Sequence, residues 1–183
     1  MLPATSVSQS FIAEHAIQTD QLGLEPVPED TRQRFLRIRL LGENKTLIPL
    51  QDIAEVRQLT MVEILPIPEI SQSMLGVFSW RGEILWLADL NALVGDSPLW
   101  RQVPLLEEPV AIVMRSDQHS VGLVVEQIDD VELIEPESIH QQTDLDSSTL
   151  ATFTAGYLPD HGGVVLDIAL VVEHLVKGLL QSF

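Results

Sequence analysis

Cysteine is absent from these 183 residues, which excludes disulfide staples, thiolate metal sites and a cysteine nucleophile. Cations are scarce. Ten Lys and Arg stand against twenty-seven Asp and Glu, a formal net charge of −17. A duplex-binding protein needs clustered cations to displace phosphate counterions, so nucleic acid is not an expected partner, and an anionic lipid surface is disfavoured for the same reason. No stretch reaches about 18 consecutive apolar residues, so no direct membrane insertion is expected. Met1 to Ile17 lacks a basic start followed by an apolar run, so no signal peptide is read and the cytoplasm is the expected location. The five histidines, His15, His119, His140, His161 and His174, show no ligand spacing of the H-E-x-x-H kind. Neither a G-x-S-x-G elbow nor a P-loop occurs. No catalytic residue, metal or cofactor is expected.

What the chain does contain is enough apolar material for a core. Hydrophobic residues make up 45% and charged residues 20%, ordinary values for one globular domain. Residues 1–33 are polar and hold three prolines, which reads as a disordered tail before a domain spanning 34–180. Alternation begins at Phe35, with Leu36, Ile38 and Leu40 on one face. A hairpin across Gly42 to Lys45 and a return strand from Thr46 to Leu50 follow. Gln51 to Leu59 reads as a helical turn running into a strand. Ser71 is positioned to cap a short helix ended by Gly76. Val77–Trp80 and Glu83–Ala88 are expected as strands around Arg81 and Gly82, the second apolar on both faces and therefore deeply buried. Asp89 is the expected N-cap of a helix from Leu90. Val110–Arg115 and Ser120–Val125 read as a hairpin, Glu126–Ile134 as a strand, and Pro136–Leu150 as loop. Two more strands lie at Tyr157 and Val164. Asp167 then caps a final helix with an apolar stripe of Ile168, Val171, Val172, Leu175 and Leu179, ended by Gly178. Strand, Asp, helix thus occurs twice, which suggests two related β subdomains.

The central run Leu75-Gly76-Val77-Phe78-Ser79-Trp80-Arg81-Gly82-Glu83-Ile84-Leu85-Trp86-Leu87-Ala88-Asp89-Leu90, with Ile67-Pro68 ahead of it, resembles the signature of CheW-like domains. Three other stretches agree in order. They are Phe35 to Arg57, with Ile53-Ala54-Glu55-Val56-Arg57 at the family's V-x-E-I position, Ser120 to Ile128, and Ala155 to the final helix. The chain departs from the family pattern at Ser79-Trp80, where Asn-Leu is usual, and at Trp86, where Pro is frequent.

The resemblance implies a mainly β fold of two intertwined five-stranded SH3-like β-barrels with short helices and a C-terminal helix. It also implies an adaptor that couples a CheA-type histidine kinase to the cytoplasmic helical tip of chemoreceptors, in the cytoplasm and at membrane-associated receptor arrays. By that resemblance Ile53, Glu55, Arg81, Val110 and Gly122 are placed on the receptor side, and Val121, Leu123, Val125 and Trp100 are kinase-contact candidates. Trp80 and Trp86 are further candidate anchors, with a core position favoured for Trp86. A CheW-like scaffold or sequestering protein without kinase coupling is the alternative, and an enzyme is the rival class that the motifs support least.

Overall fold

The computed structural model describes residues 30–40, 45–101, 108–116, 119–141, 148–160 and 162–181. The expectations for the tail at 1–29, for the turn at 42–44 and for His161 lie outside them.

β1 (Gln33–Arg39) and β2 (Lys45–Pro49) form an antiparallel hairpin, with Leu36 opposite Ile48. A 3-10 turn at Leu50–Asp52 carries the chain out of that sheet. β3 (Ile53–Gln58), β4 (Met74–Trp80) and β5 (Glu83–Asp89) all enter a second sheet, and α1 (Leu90–Leu93) follows. The rest of the chain repeats the plan with the sheets exchanged. β6 (Val110–Ser116) and β7 (His119–Val125) make a hairpin in the second sheet. β8 (Gln127–Ile134) crosses to pair with β1. α2 (Thr149–Thr152), β9 (Thr154–Leu158), β10 (Gly163–Leu166) and α3 (Ile168–Gln181) complete the second half. Sheet 1 runs β8-β1-β2-β10-β9 and sheet 2 runs β3-β6-β7-β5-β4. In each, one parallel pair joins the two halves, β2 with β10 and β7 with β5. Every half therefore feeds both sheets, which is the intertwining expected.

The hydrogen-bonded ladder of each sheet stays open, so these are SH3-like sheets curled toward closure. Sheet 2 brings its edges together through side chains from β3 and β4. Glu55 meets Trp80, and Arg57 lies 4.8 Å over the Phe78 ring. One isolated bridge finishes each curl, Leu65 to Val77 in sheet 2 and His140 to Tyr157 at sheet 1. Each bridge needs a glycine beside it. A Cβ on Gly76 would stand 2.2 Å from the Leu65 carbonyl oxygen, and one on Gly156 2.8 Å from that of His140. Gly76 also holds φ at +140°, which only glycine adopts readily.

That bridge explains why the expected helix from Ser71 to Leu75 is missing. Residues there make a turn, β4 starts at Met74, and its register slips between Met74 and Gly76. Gly76 serves a bulge and ends no helix. Two other expectations change. α2 falls inside a stretch read as loop, and α3 continues through Gly178 to Gln181.

Among the described residues, three apolar clusters hold the domain. One lies inside sheet 2, built on Phe78, Trp80, Leu85 and Leu87. A smaller one lies inside sheet 1, built on Phe35, Leu47, Leu158 and Val165. The largest fills the seam between the sheets, where Ile38, Ile48, Met114 and Leu123 meet Val171, Val172 and Leu175 of α3. Each such fully buried aliphatic side chain contributes about 1.5–3 kcal/mol. The α3 stripe buries as expected, with Leu179 partly covered, and the Asp167 carboxylate accepts from Leu170 N at 3.0 Å.

Candidate functional site

β4 and β5 turn through two residues only. Trp80 pairs with Glu83, leaving Arg81 and Gly82 as the loop. Both hold positive φ, +51° and +84°, the backbone of a tight hairpin whose twist matches its strands. Glycine takes that conformation at no steric cost. Arginine pays about 1–2 kcal/mol for it, and its side-chain contacts offset that cost. Its guanidinium carbon lies 5.0 Å from the Trp80 ring centroid. Its Nε and Nη2 donate to Glu55 Oε2 at 3.2 and 2.9 Å. The Trp80 indole donates to the same oxygen at 3.0 Å. The indole N–H first, and the guanidinium after it, hold the Glu55 carboxyl below its ordinary range. Trp80 itself is buried in the sheet 2 core. A buried indole thus fixes a carboxylate, the carboxylate fixes an exposed arginine, and the rim of sheet 2 carries a pre-oriented Glu–Arg pair.

A model of the CheW-like domain matches residues 34–176. The chain belongs to the CheW-like domain family. The crystal structure of scaffolding protein TtCheW from Thermoanaerobacter tengcongensis is similar, with a TM-score of 0.62 at 20% identity over 74% of this chain and 87% of that one. That likeness concerns the fold. No curated protein matches the sequence.

In this CheW-like domain the expected receptor-side residues do not form one patch. Glu55 and Arg81 touch. Ile53 opens the same strand as Glu55, half-buried against the seam cluster and opposite Met114. Val110 pairs with Gln58 at the other end of that ladder, four residues along β6, about 13 Å away. Gly122 is buried in mid-strand. A Cβ there would stand 2.4 Å from Leu87 Cδ2, so Gly122 makes room for the sheet 2 core and presents no surface.

The kinase-side candidates need a similar correction. Val121, Leu123 and Val125 are 2%, 0% and 0% exposed, because β7 is a central strand covered on both faces. Their side chains are not offered to a partner. Trp100 is half-buried in a 3-10 turn, Leu99–Arg101. Trp86 is half-buried against the seam cluster.

Sequence reasoning missed the apolar surface the domain does expose. Ile84, expected to be deep, is 74% exposed, and Leu65 is 64% exposed. Ile84 and Trp86 share one face of β5. Val77 pairs with Trp86, and Leu65 bridges to Val77. Leu65, Trp86 and Ile84 therefore face the same way, beside the Arg81–Gly82 turn. An apolar run on both faces signals burial only while neighbouring strands extend alongside. The recorded β5–β7 ladder begins at Trp86 and Val121, so Ile84 projects past it.

Proposed function

We propose that this chain is a non-catalytic adaptor that couples a CheA-type histidine kinase to the cytoplasmic helical tip of methyl-accepting chemoreceptors, in the cytoplasm at receptor arrays. Membership of the CheW-like family supports the adaptor role, and the Glu55–Trp80–Arg81 cluster is the observation that carries the coupling reading. A receptor helix offers an apolar stripe with polar flanks, and a groove that takes it needs aliphatic wall and a few fixed polar groups. Ile53 supplies wall on the strand that holds Glu55, and the Glu55–Arg81 pair supplies orientation. The kinase meets the strip formed by exposed Leu65 and Ile84 with half-buried Trp86 between them, which takes over the role first given to Val121, Leu123 and Val125. Both contacts are reversible and transmit a change of shape without any chemical step.

Arg81→Glu places two carboxylates together and frees the Trp80 rim. Calorimetry with a purified receptor hairpin fragment should show affinity reduced about tenfold or more, while the variant still melts cooperatively. Receptor affinity equal to that of the parent protein would overturn the assignment.

A further inference from the structure

The two halves of the domain end their last strand alike, and among the described residues only one of the endings is stoppered. β5 ends at Asp89, which is fully buried. Its Oδ1 accepts from Ala92 N at 3.0 Å and its Oδ2 from Leu99 N at 2.6 Å. α1 stops after one turn, Gly95 takes φ +88°, and the chain folds back as Pro98–Leu99–Trp100–Arg101. Leu99 enters the cluster inside sheet 2. That turn closes the mouth of the curled sheet, with its backbone N–H on the strand-end aspartate.

β10 ends at Leu166, and Asp167, next in the chain, also caps its helix, through Leu170 N. The registers make the two sites equivalent, since Leu87 pairs with Gly122 as Val165 pairs with Leu47. Here the helix does not stop. α3 runs for 14 residues, and among the described residues no returning turn brings a second N–H to Asp167. A cavity of about 240 Å³ opens there. Pro49, Val165 and Leu166 give it apolar wall, Ala155 lines it, and Asp52, Asp167 and Arg115 supply its charge. Burial, and then the charge of Asp167, push the Asp52 carboxyl above its ordinary range. Two acids against one arginine leave the side chains of the cavity net acidic, with the first N–H groups of α3, at Ile168 and Ala169, beside them.

We infer that this cavity is a docking pocket for a turn of a partner polypeptide built like the chain's own Pro98–Leu99–Trp100–Arg101. The partner's aliphatic side chain rests on Val165 and Pro49, its backbone N–H donates to the second oxygen of Asp167, and a following basic residue faces Asp52. Two observations select this occupant. The equivalent mouth in the same molecule holds such a turn, and a donor-bearing, basic segment complements the acid pair. The pocket lies where the end of sheet 1 meets Asp52 and Arg115 of β6, and neither Glu55 nor Arg81 lines it, so failure of the peptide to bind would leave the Glu55–Arg81 reading of receptor coupling in place.

The probe is a blocked synthetic peptide, Ser-Pro-Leu-Trp-Arg, titrated into the ¹⁵N-labelled full chain. Saturable shifts should centre on the amides of Val165, Asp167 and Ala169. Replacing the peptide's Leu with Ala should weaken binding about tenfold, the scale of one lost aliphatic contact. Ala155→Trp fills the cavity and should abolish the shifts, with cooperative melting as the check on its fold. Asp52→Asn, which keeps shape and removes a charge, should weaken binding about threefold, and it decides the matter if Ala155→Trp misfolds. Absence of saturation, shifts centred on Asp89 and sheet 2, or binding unchanged in Asp52→Asn and in a folded Ala155→Trp would each overturn the pocket.

Discussion

In sheet 2 the residue beside Leu87 is Gly122, and at the equivalent place in sheet 1 Val165 lies beside Leu47. One strand pair is large beside small, the other medium beside large. The exchange extends one step further. Leu85 leans toward Gly122, whereas its sheet 1 counterpart, Gly163, leaves space beside Leu47. A shared backbone plan thus accepts opposite side-chain choices as long as the summed volume fills the curl. The rest of the interior differs more. Among the described residues, ten buried apolar side chains pack inside sheet 2 against five inside sheet 1. Where sheet 2 has Val113 opposite Glu55, sheet 1 has Arg37 opposite Asp130. Arg37 binds Glu132 and Asp129, and Arg39 reaches Asp129 at 3.0 Å. Sheet 2 is therefore the apolar anchor that can hold a strained hairpin at its rim. Sheet 1 is the more polar partner, and among the described residues it is the less filled one, with a cavity at its mouth.

The comparison breaks most readily at the cores. Leu87→Ala should cost about 3–5 kcal/mol by urea unfolding, and Val165→Ala clearly less, because fewer methylenes are lost beside an existing cavity. Equal losses would show that sheet 2 is not the anchor. The strand-end aspartates come next. Asp89→Ala orphans two N–H donors, one of them buried, and should cost about 2–4 kcal/mol. Asp167→Ala removes one helix cap and should cost about 1 kcal/mol. A difference of the opposite sign would remove the basis for calling the sheet 2 mouth stoppered and the sheet 1 mouth open. Arg37→Met should change stability by less, within about 1 kcal/mol either way, because an ion pair that is partly exposed contributes little net of its desolvation. Salt should then affect the variant less than the parent in parallel melts.

The smallest effect is in pH. The Glu55 carboxyl is lowered in the folded protein, so its contribution is present above the ordinary glutamate value and is lost as pH falls through the lowered one. Asp52 is raised, so the sign reverses. Its contribution is full below the ordinary aspartate value and fades as pH rises through the raised one. The Trp80 indole proton resonance should follow Glu55 and shift only at acid pH below the usual glutamate range. A midpoint at or above that range would mean that the indole–carboxylate bond does not form.

Much of this was legible in the residues. Asp89 and Asp167 announced their caps because an acid before an apolar helix has one common use. The Arg81–Gly82 turn showed between two apolar runs of strand length. The exchange of β3 and β8 between sheets was expected only through the family resemblance, since nothing local in Ile53–Gln58 or Gln127–Ile134 states which sheet they join. Gly76 misled because a glycine after Ser71 fits a helix end as well as a bulge, and the Leu65 carbonyl that decides between them is eleven residues away in sequence. Val121 to Val125 did carry a usable signal. A continuous apolar run of that length reads as a central strand, and the same reasoning that buried Leu85 and Leu87 would have buried them too.

The central claim is coupling, and the most direct measurement is autophosphorylation of a purified CheA-type kinase in the presence of a receptor fragment, with and without this chain. The account predicts that receptor control over phosphorylation appears only when the chain is added and disappears with Arg81→Glu. Kinase activity that responds to the receptor equally with and without the chain, or that the chain never alters, would contradict it.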